Sequence, residues 1–286
     1  MGAVPTTAAL LAAFVLSHLV ITTPPVRTII VDRLGRVRLA VIASVLAWAT
    51  LAPLIWLYAA HRGEGPPGLG LGHLLGVRWP AMAAMVAGMV LMVAIVAPSG
   101  YPASAAAVFS RHSREPRGLE RITRHPFFVG LVLWGLGHTL VAERLVGVIV
   151  FGGLALMGGA GALLQDRKLL GLRGREHAEY LRATSIVPLW AVLRGRQRVV
   201  LRELPWAFVG LGAAAAAGTR WLHGRGFAYG WLVLLLVMVV VPLWLGVSSA
   251  FRHHRARSSG PATSPHQHQD RRHDRRPSSA TPTDDR

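Results

Sequence analysis

Long apolar runs separated by short polar segments rich in arginine make up most of the chain. The runs are Thr6 to about Ile21, Leu39 to about Ala60, Pro80 to Val96, Pro126 to about Leu140, Leu145 to Leu164, Trp206 to Leu222 and Phe227 to Val247. Each approaches the roughly 20 residues that carry a helix across about 30 Å of hydrocarbon. The pattern predicts an all-α fold, a polytopic membrane bundle of about seven transmembrane helices. The first run lacks a basic n-region and a small-residue cleavage site, so it reads as a retained helix. Beyond it, Val26, Ile29, Ile30 and Leu34 form one helical stripe beside Arg27, Asp32 and Arg33, the pattern of an interfacial helix. Met82, Met85, Met89 and Met92 share one face of the third run. Methionine fills gaps between helices more often than it holds a soft metal or a ligand, and packing is the expectation. In the fifth run, Ala155 with Gly159 and Gly158 with Ala162 permit close helix approach. Gln165 to Arg202 reads as a basic amphipathic stretch.

Composition narrows the class. The chain is 52% hydrophobic yet carries a formal charge of +18, and its arginines fall between the apolar runs. That describes a membrane protein in contact with lipid, and it argues against nucleic-acid binding. No cysteine is present, so disulfides, iron–sulfur ligation and thiol chemistry are excluded. Arginine-rich connections follow runs one, three, five and seven, whereas those after two, four and six carry one or two basic residues. Positively charged loops stay cytoplasmic, which puts the N-terminus outside and the C-terminus inside. Three segments result: a membrane domain over 1–226, an additional transmembrane helix over 227–250, and a disordered His/Arg-rich cytoplasmic tail over 251–286. His253, His254, His266, His268 and His273 in that tail read as solvated rather than metal-binding.

The candidate chemistry centres on Arg121 to Leu140. Pro126 suits the first position of a helix, because its missing N–H has no partner to lose there. Arg121 and Arg124 then fall at the lipid headgroups or on an anionic cofactor group such as a haem propionate. His138 lies about 18 Å deeper at roughly 1.5 Å per residue. An ionisable group inside hydrocarbon marks a functional site with a partner, or else an imidazole hydrogen-bonded to a neighbouring helix. His125, at the interface, lies thirteen residues from His138 and on the opposite helix face. His18 is the other histidine well inside an apolar run, and counted from Arg27 its depth matches that of His138 to about 6 Å. Two neutral imidazoles facing each other in apolar surroundings suit haem iron. Gly130 and Gly137, with Trp134 between them, mark a stripe where a planar macrocycle can approach the backbone. This predicts His18 and His138 as metal ligands, with Arg124, His125 and Trp134 about the cofactor.

The blocks Ser17-His18-Leu19, Pro24-Pro25-Val26-Arg27, Arg33-Leu34-Gly35, Thr123-Arg124-His125-Pro126 with Gly130, Trp134 and His138, and Thr184-Ser185 with Pro188 and Gly195-Arg196 resemble the NnrU family. That family includes membrane proteins associated with bacterial denitrification genes and the plant 15-cis-ζ-carotene isomerases, which bind haem b. The resemblance implies haem b held by His18 and His138, and a redox, isomerase-like or denitrification-associated role on a hydrophobic small molecule. Gly135 stands where the plant enzymes carry a cysteine, so a thiolate role is absent. Arg124-His125-Pro126 with Gly130, Asp166-Arg167, Leu169, Gly174, Tyr180 and Val187-Pro188 is also similar to isoprenylcysteine and phospholipid methyltransferases, which implies S-adenosylmethionine binding as an alternative. A non-catalytic membrane assembly factor is the third reading.

Overall fold

The computed structural model describes residues 2–94 and 115–223. The seventh apolar run and the tail lie outside the described residues, as does most of the connection after the third run. All described helices belong to one compact unit, Met1–Phe227. They are α1 (Ala3–Thr22), α2 (Pro24–His61), α3 (Leu75–Ala94), α4 (Leu119–Ile122), α5 (Pro126–Val141), α6 (Leu145–Arg173), α7 (Arg175–Ala183), α8 (Trp190–Leu193) and α9 (Trp206–Leu222). Four segments are long and apolar enough to cross a membrane: Ala3–Ile21, Val41–His61, Leu75–Ala94 and Leu145–Arg173; α5 is a shorter apolar helix. By that measure the chain is a multi-pass membrane protein.

Local chemistry sets the boundaries. The expected interfacial helix and second span form one element bent at Gly35, whose φ of 82° and ψ of 164° break the helical path. A side chain there would be strained, so glycine is required at the bend. The third helix starts at Leu75, five residues before the expected Pro80. Its first turn is closed by Arg78 N–H donating to the Leu74 carbonyl at 2.8 Å, and Pro80 is tolerated one turn in. The fifth run extends nine residues past Leu164, because nothing between Gln165 and Arg173 breaks a helix. It ends at Gly174, with φ 52°. This places Asp166 inside a long apolar helix rather than in the basic stretch that follows it.

Neighbours follow in the order α2, α1, α6, α5, α3, α9, with α2 also reaching α6. One core gathers Leu11, Leu54 and Val150 among α1, α2 and α6. Another gathers Leu91, Ala94, Leu119 and Val129. At one end of the bundle, Leu145 N–H donates to the Pro66 carbonyl at 2.9 Å, tying the start of α6 to the loop after α2. At the opposite end, the Thr123-Arg124 and Thr184-Ser185-Ile186 blocks are joined. Arg124 N–H donates to the Ser185 carbonyl at 2.9 Å, and the Thr123 hydroxyl donates to the Ile186 carbonyl at 2.7 Å.

Candidate functional site

His138 lies one turn from the end of α5, half-buried among aromatic rings. Its ring stacks on Phe151 of α6 at 4.6 Å and leans on Trp134 at 4.3 Å. Phe151 in turn meets Trp134 and Tyr58 edge-on, each at 5.3 Å. His138 Nδ1 lies 2.8 Å from the Trp134 carbonyl. A carbonyl can only accept, so Nδ1 carries the proton and Nε2 holds the lone pair, the tautomer a metal-binding histidine adopts. Across from His138 stands His223, the residue after α9, with ring centres 6.4 Å apart and planes inclined at 36°.

His18 has the same local arrangement. Its Nδ1 lies 3.3 Å from the Phe14 carbonyl one turn back, and its ring leans on Phe14 at 4.6 Å. Its depth differs from that of His138. The α1 and α6 helices start at the same end of the bundle, since Val4 touches the loop at Gly65 and Leu145 bonds Pro66. Leu11 of α1 packs on Gly153 of α6, whereas the His138 ring stacks on Phe151, two residues nearer that end. The His18 ring lies beyond Leu11, so the two imidazoles are separated along the bundle axis by on the order of 10 Å. Two nitrogens on one metal must each approach to about 2 Å. The expected pair therefore does not meet in this packing, although each imidazole has suitable donor chemistry.

The expected cradle for a macrocycle is filled by α3. A Cβ at Gly130 would sit 2.7 Å from the Gly88 carbonyl oxygen and 2.9 Å from Met92, and one at Gly137 would sit 2.7 Å from both the Ala81 carbonyl oxygen and Met85. The α5 glycines and two methionines of the α3 stripe thus form a close helix–helix seam. Bare backbone admits a neighbouring helix as readily as a flat cofactor.

The arginines and His125 are committed to protein partners. Arg124 Nε and Nη2 donate to Asp166 Oδ2 at 2.9 and 2.6 Å, and His125 Nε2 donates to Asp166 Oδ1 at 2.7 Å. His125 and Asp166 are buried, as is His177 of α7. His177 Nε2 lies 3.8 Å from Asp166 Oδ1 and has no hydrogen-bond partner. The cluster neutralises a carboxylate on an apolar helix and locks α5 to α6. Arg121 pairs with Glu203, Nε to Oε2 at 2.9 Å and Nη2 to Oε1 at 3.2 Å, and Gly118 N–H also donates to Oε2 at 2.8 Å. These bonds to Arg121 and Gly118 hold the Glu203 carboxyl down at about 2. Both guanidiniums, expected at the headgroups or on an anionic cofactor group, are paired with protein carboxylates.

The model of the family described as NnrU protein matches residues 7–248. This chain belongs to the NnrU family. Among curated proteins, the NnrU chain is 40% identical over 82 residues to the chloroplastic 15-cis-ζ-carotene isomerase of Zea mays and 38% identical over 80 residues to that of Arabidopsis thaliana. The matches cover 29% and 28% of this chain, and 22% of each isomerase. No solved structure is significantly similar.

Three side chains beside these groups lie outside the site residues that the sequence predicts. Asp166 belongs to the methyltransferase resemblance and to the stretch read as basic and amphipathic, and the continuation of α6 brings it to His125. His177 carries no signal in the sequence beyond its place in the basic amphipathic stretch. His223 follows Arg220 and Trp221 at the edge of an apolar run, where nothing in the spacing singles it out.

Proposed function

We propose that this NnrU protein is a haem-b-dependent, isomerase-like membrane protein acting on a hydrophobic small molecule, with His138 as a residue that would hold the haem. Family membership and the local similarity to two ζ-carotene isomerases support the reading. The observation that carries it is the His138 environment: Nδ1–H is fixed on the Trp134 carbonyl, Nε2 keeps its lone pair, and aromatic rings flank the imidazole. When bound, haem supplies one-electron redox chemistry at an iron tuned by its axial ligands. Trp134 orients the imidazole through its backbone, while Phe151 fixes the ring plane and limits access of water. The same rings offer an apolar face to a hydrophobic substrate. We place the protein in a bacterial cytoplasmic membrane with seven spans, the N-terminus outside and a denitrification-associated setting, as the arginine alternation and the family suggest.

The methyltransferase reading is favoured by one observation, the convergence of Arg124, His125 and Asp166. Against it, these groups satisfy one another and are nearly closed to solvent, so few donors remain to take up a soluble cofactor. The deciding experiment compares haem content of detergent-purified wild type and His138→Ala, together with S-adenosylmethionine titration by calorimetry. Haem in the wild type, its loss in the variant and no heat of binding are expected. Binding of S-adenosylmethionine by a haem-free wild type would replace the haem reading with the methyltransferase one.

A further inference from the structure

We propose that residues 187–202, between α7 and α9, form a membrane-anchoring wedge that seats apolar side chains at the headgroup boundary of an anionic lipid leaflet and sets four arginines against its phosphates. Val187, Leu189, Trp190 and Leu193 stand out of the protein, Val187 at 59% exposure and Leu193 at 76%. They lie outside every segment long enough to cross a membrane, so contact with lipid tails along a spanning helix does not account for them. Apolar side chains grouped in this way mark an interaction surface. The backbone holds them in a fixed frame. Leu189 is the only non-glycine residue with a positive φ among the described residues, at 61°. A leucine is strained there. Its N–H donates to the Ile122 carbonyl at 2.9 Å, and its own carbonyl accepts from Leu193 N–H at 2.9 Å. The turn leaves the Leu189 side chain exposed and starts α8, where Trp190 and Leu193 share a face by their three-residue spacing.

Charge selects the partner. Arg194, Arg196, Arg198 and Arg202 follow α8, all four exposed, and among the described residues none of them is in a salt bridge. Glu203, the acid next to them in sequence, is taken by Arg121 and Gly118. The Arg194 guanidinium lies over the Trp190 ring at 4.6 Å, which puts a cation directly beside the apolar face. Arg196 donates to the Arg182 carbonyl and Gln197 Nε2 to the Ala183 carbonyl at 3.2 Å, fastening the segment to the end of α7. Level also matters. Leu189 is bonded to Ile122, four residues before α5 begins, and α9 begins at Trp206, four residues after Arg202. The segment thus runs where the apolar helices leave the hydrocarbon, and a tryptophan with neighbouring arginines suits that boundary. On the proposed topology this is the cytoplasmic side, whose leaflet carries the negative lipids. Arg121 and Arg124, the cations that the sequence sets at the headgroups, are paired inside the protein, and these four take that place.

The chain has no cysteine, so a single introduced cysteine reports on one position. Full-length Leu193→Cys, labelled with a nitrobenzoxadiazole dye, is reconstituted in vesicles of equal parts phosphatidylcholine and phosphatidylglycerol. The dye should emit with a blue shift, resist quenching by aqueous iodide, and be quenched severalfold more strongly by spin-labelled phosphatidylglycerol than by spin-labelled phosphatidylcholine at equal content. High salt should remove that lipid preference, because the attraction is screened. Replacing Arg194, Arg196, Arg198 and Arg202 together by glutamine should also remove it while the dye stays shielded from iodide. A dye that iodide quenches freely would overturn the wedge and leave this face to water or a soluble partner. A shielded dye quenched equally by the two lipids would overturn the anionic leaflet as partner, and a preference that survives the four glutamines would overturn the role of these arginines.

Discussion

Asp166 gathers three nitrogen-bearing side chains around one buried carboxylate. Its oxygens accept from Arg124 and His125, and His177 Nε2 points toward it. Breaking a buried pair by removing one partner is costly, because the remaining charge keeps its desolvation penalty. Asp166→Asn should therefore destabilise the protein by about 3–5 kcal/mol, read as a lower melting temperature in detergent. If haem is bound at His138, the spectrum of the folded fraction should not change. An unchanged melting temperature would mean that water already screens the cluster. Glu203 gives a pH dependence of determinate sign. Its carboxyl is lowered to about 2, so the Arg121–Glu203 link is fully present above the ordinary value of 4.5 and is lost as pH falls toward 2. Acid unfolding profiles should show wild type losing an increment of stability across that interval that Glu203→Gln lacks at every pH.

The helices were largely legible from apolar periodicity, and their seams were not. Small residues on α5 and methionines on α3 were visible as stripes, but a stripe of bare backbone does not say what lies against it. The structure puts Gly88, Gly130 and Gly137 in one seam between α3 and α5. Gly137→Val should force α3 away and cost about 1–3 kcal/mol, with loss of folded yield. Gly159 has open space at its Cβ position, so Gly159→Ala should be tolerated within about 1 kcal/mol. Equal effects from the two substitutions would contradict the seam. The α6 helix shows the other limit of sequence reading. Charged residues after Leu164 suggested an exit from the apolar run, yet Asp166 stays on the helix because Arg124 and His125 arrive from α5, a long-range pairing that periodicity does not encode. His18 and His138 were assigned similar depths by counting from flanking arginines. That count fails because the first helix begins beside Gly65, and its register against α6 sets His18 well past the level of Phe151.

At the scale of the whole molecule, four long apolar helices and the shorter α5 support a multi-pass protein. The arginine alternation adds a direction that helix packing alone does not supply. A reporter fused after Arg252 should be active only as a cytoplasmic reporter, and periplasmic activity at that junction would overturn the proposed topology. The functional account rests on whether this bundle holds haem. The most direct measurement is the visible spectrum of wild-type protein purified from haem-sufficient cells, first oxidised and then reduced. The account predicts a low-spin b-type spectrum in both states, with about one haem per chain. A colourless protein under those conditions would contradict it.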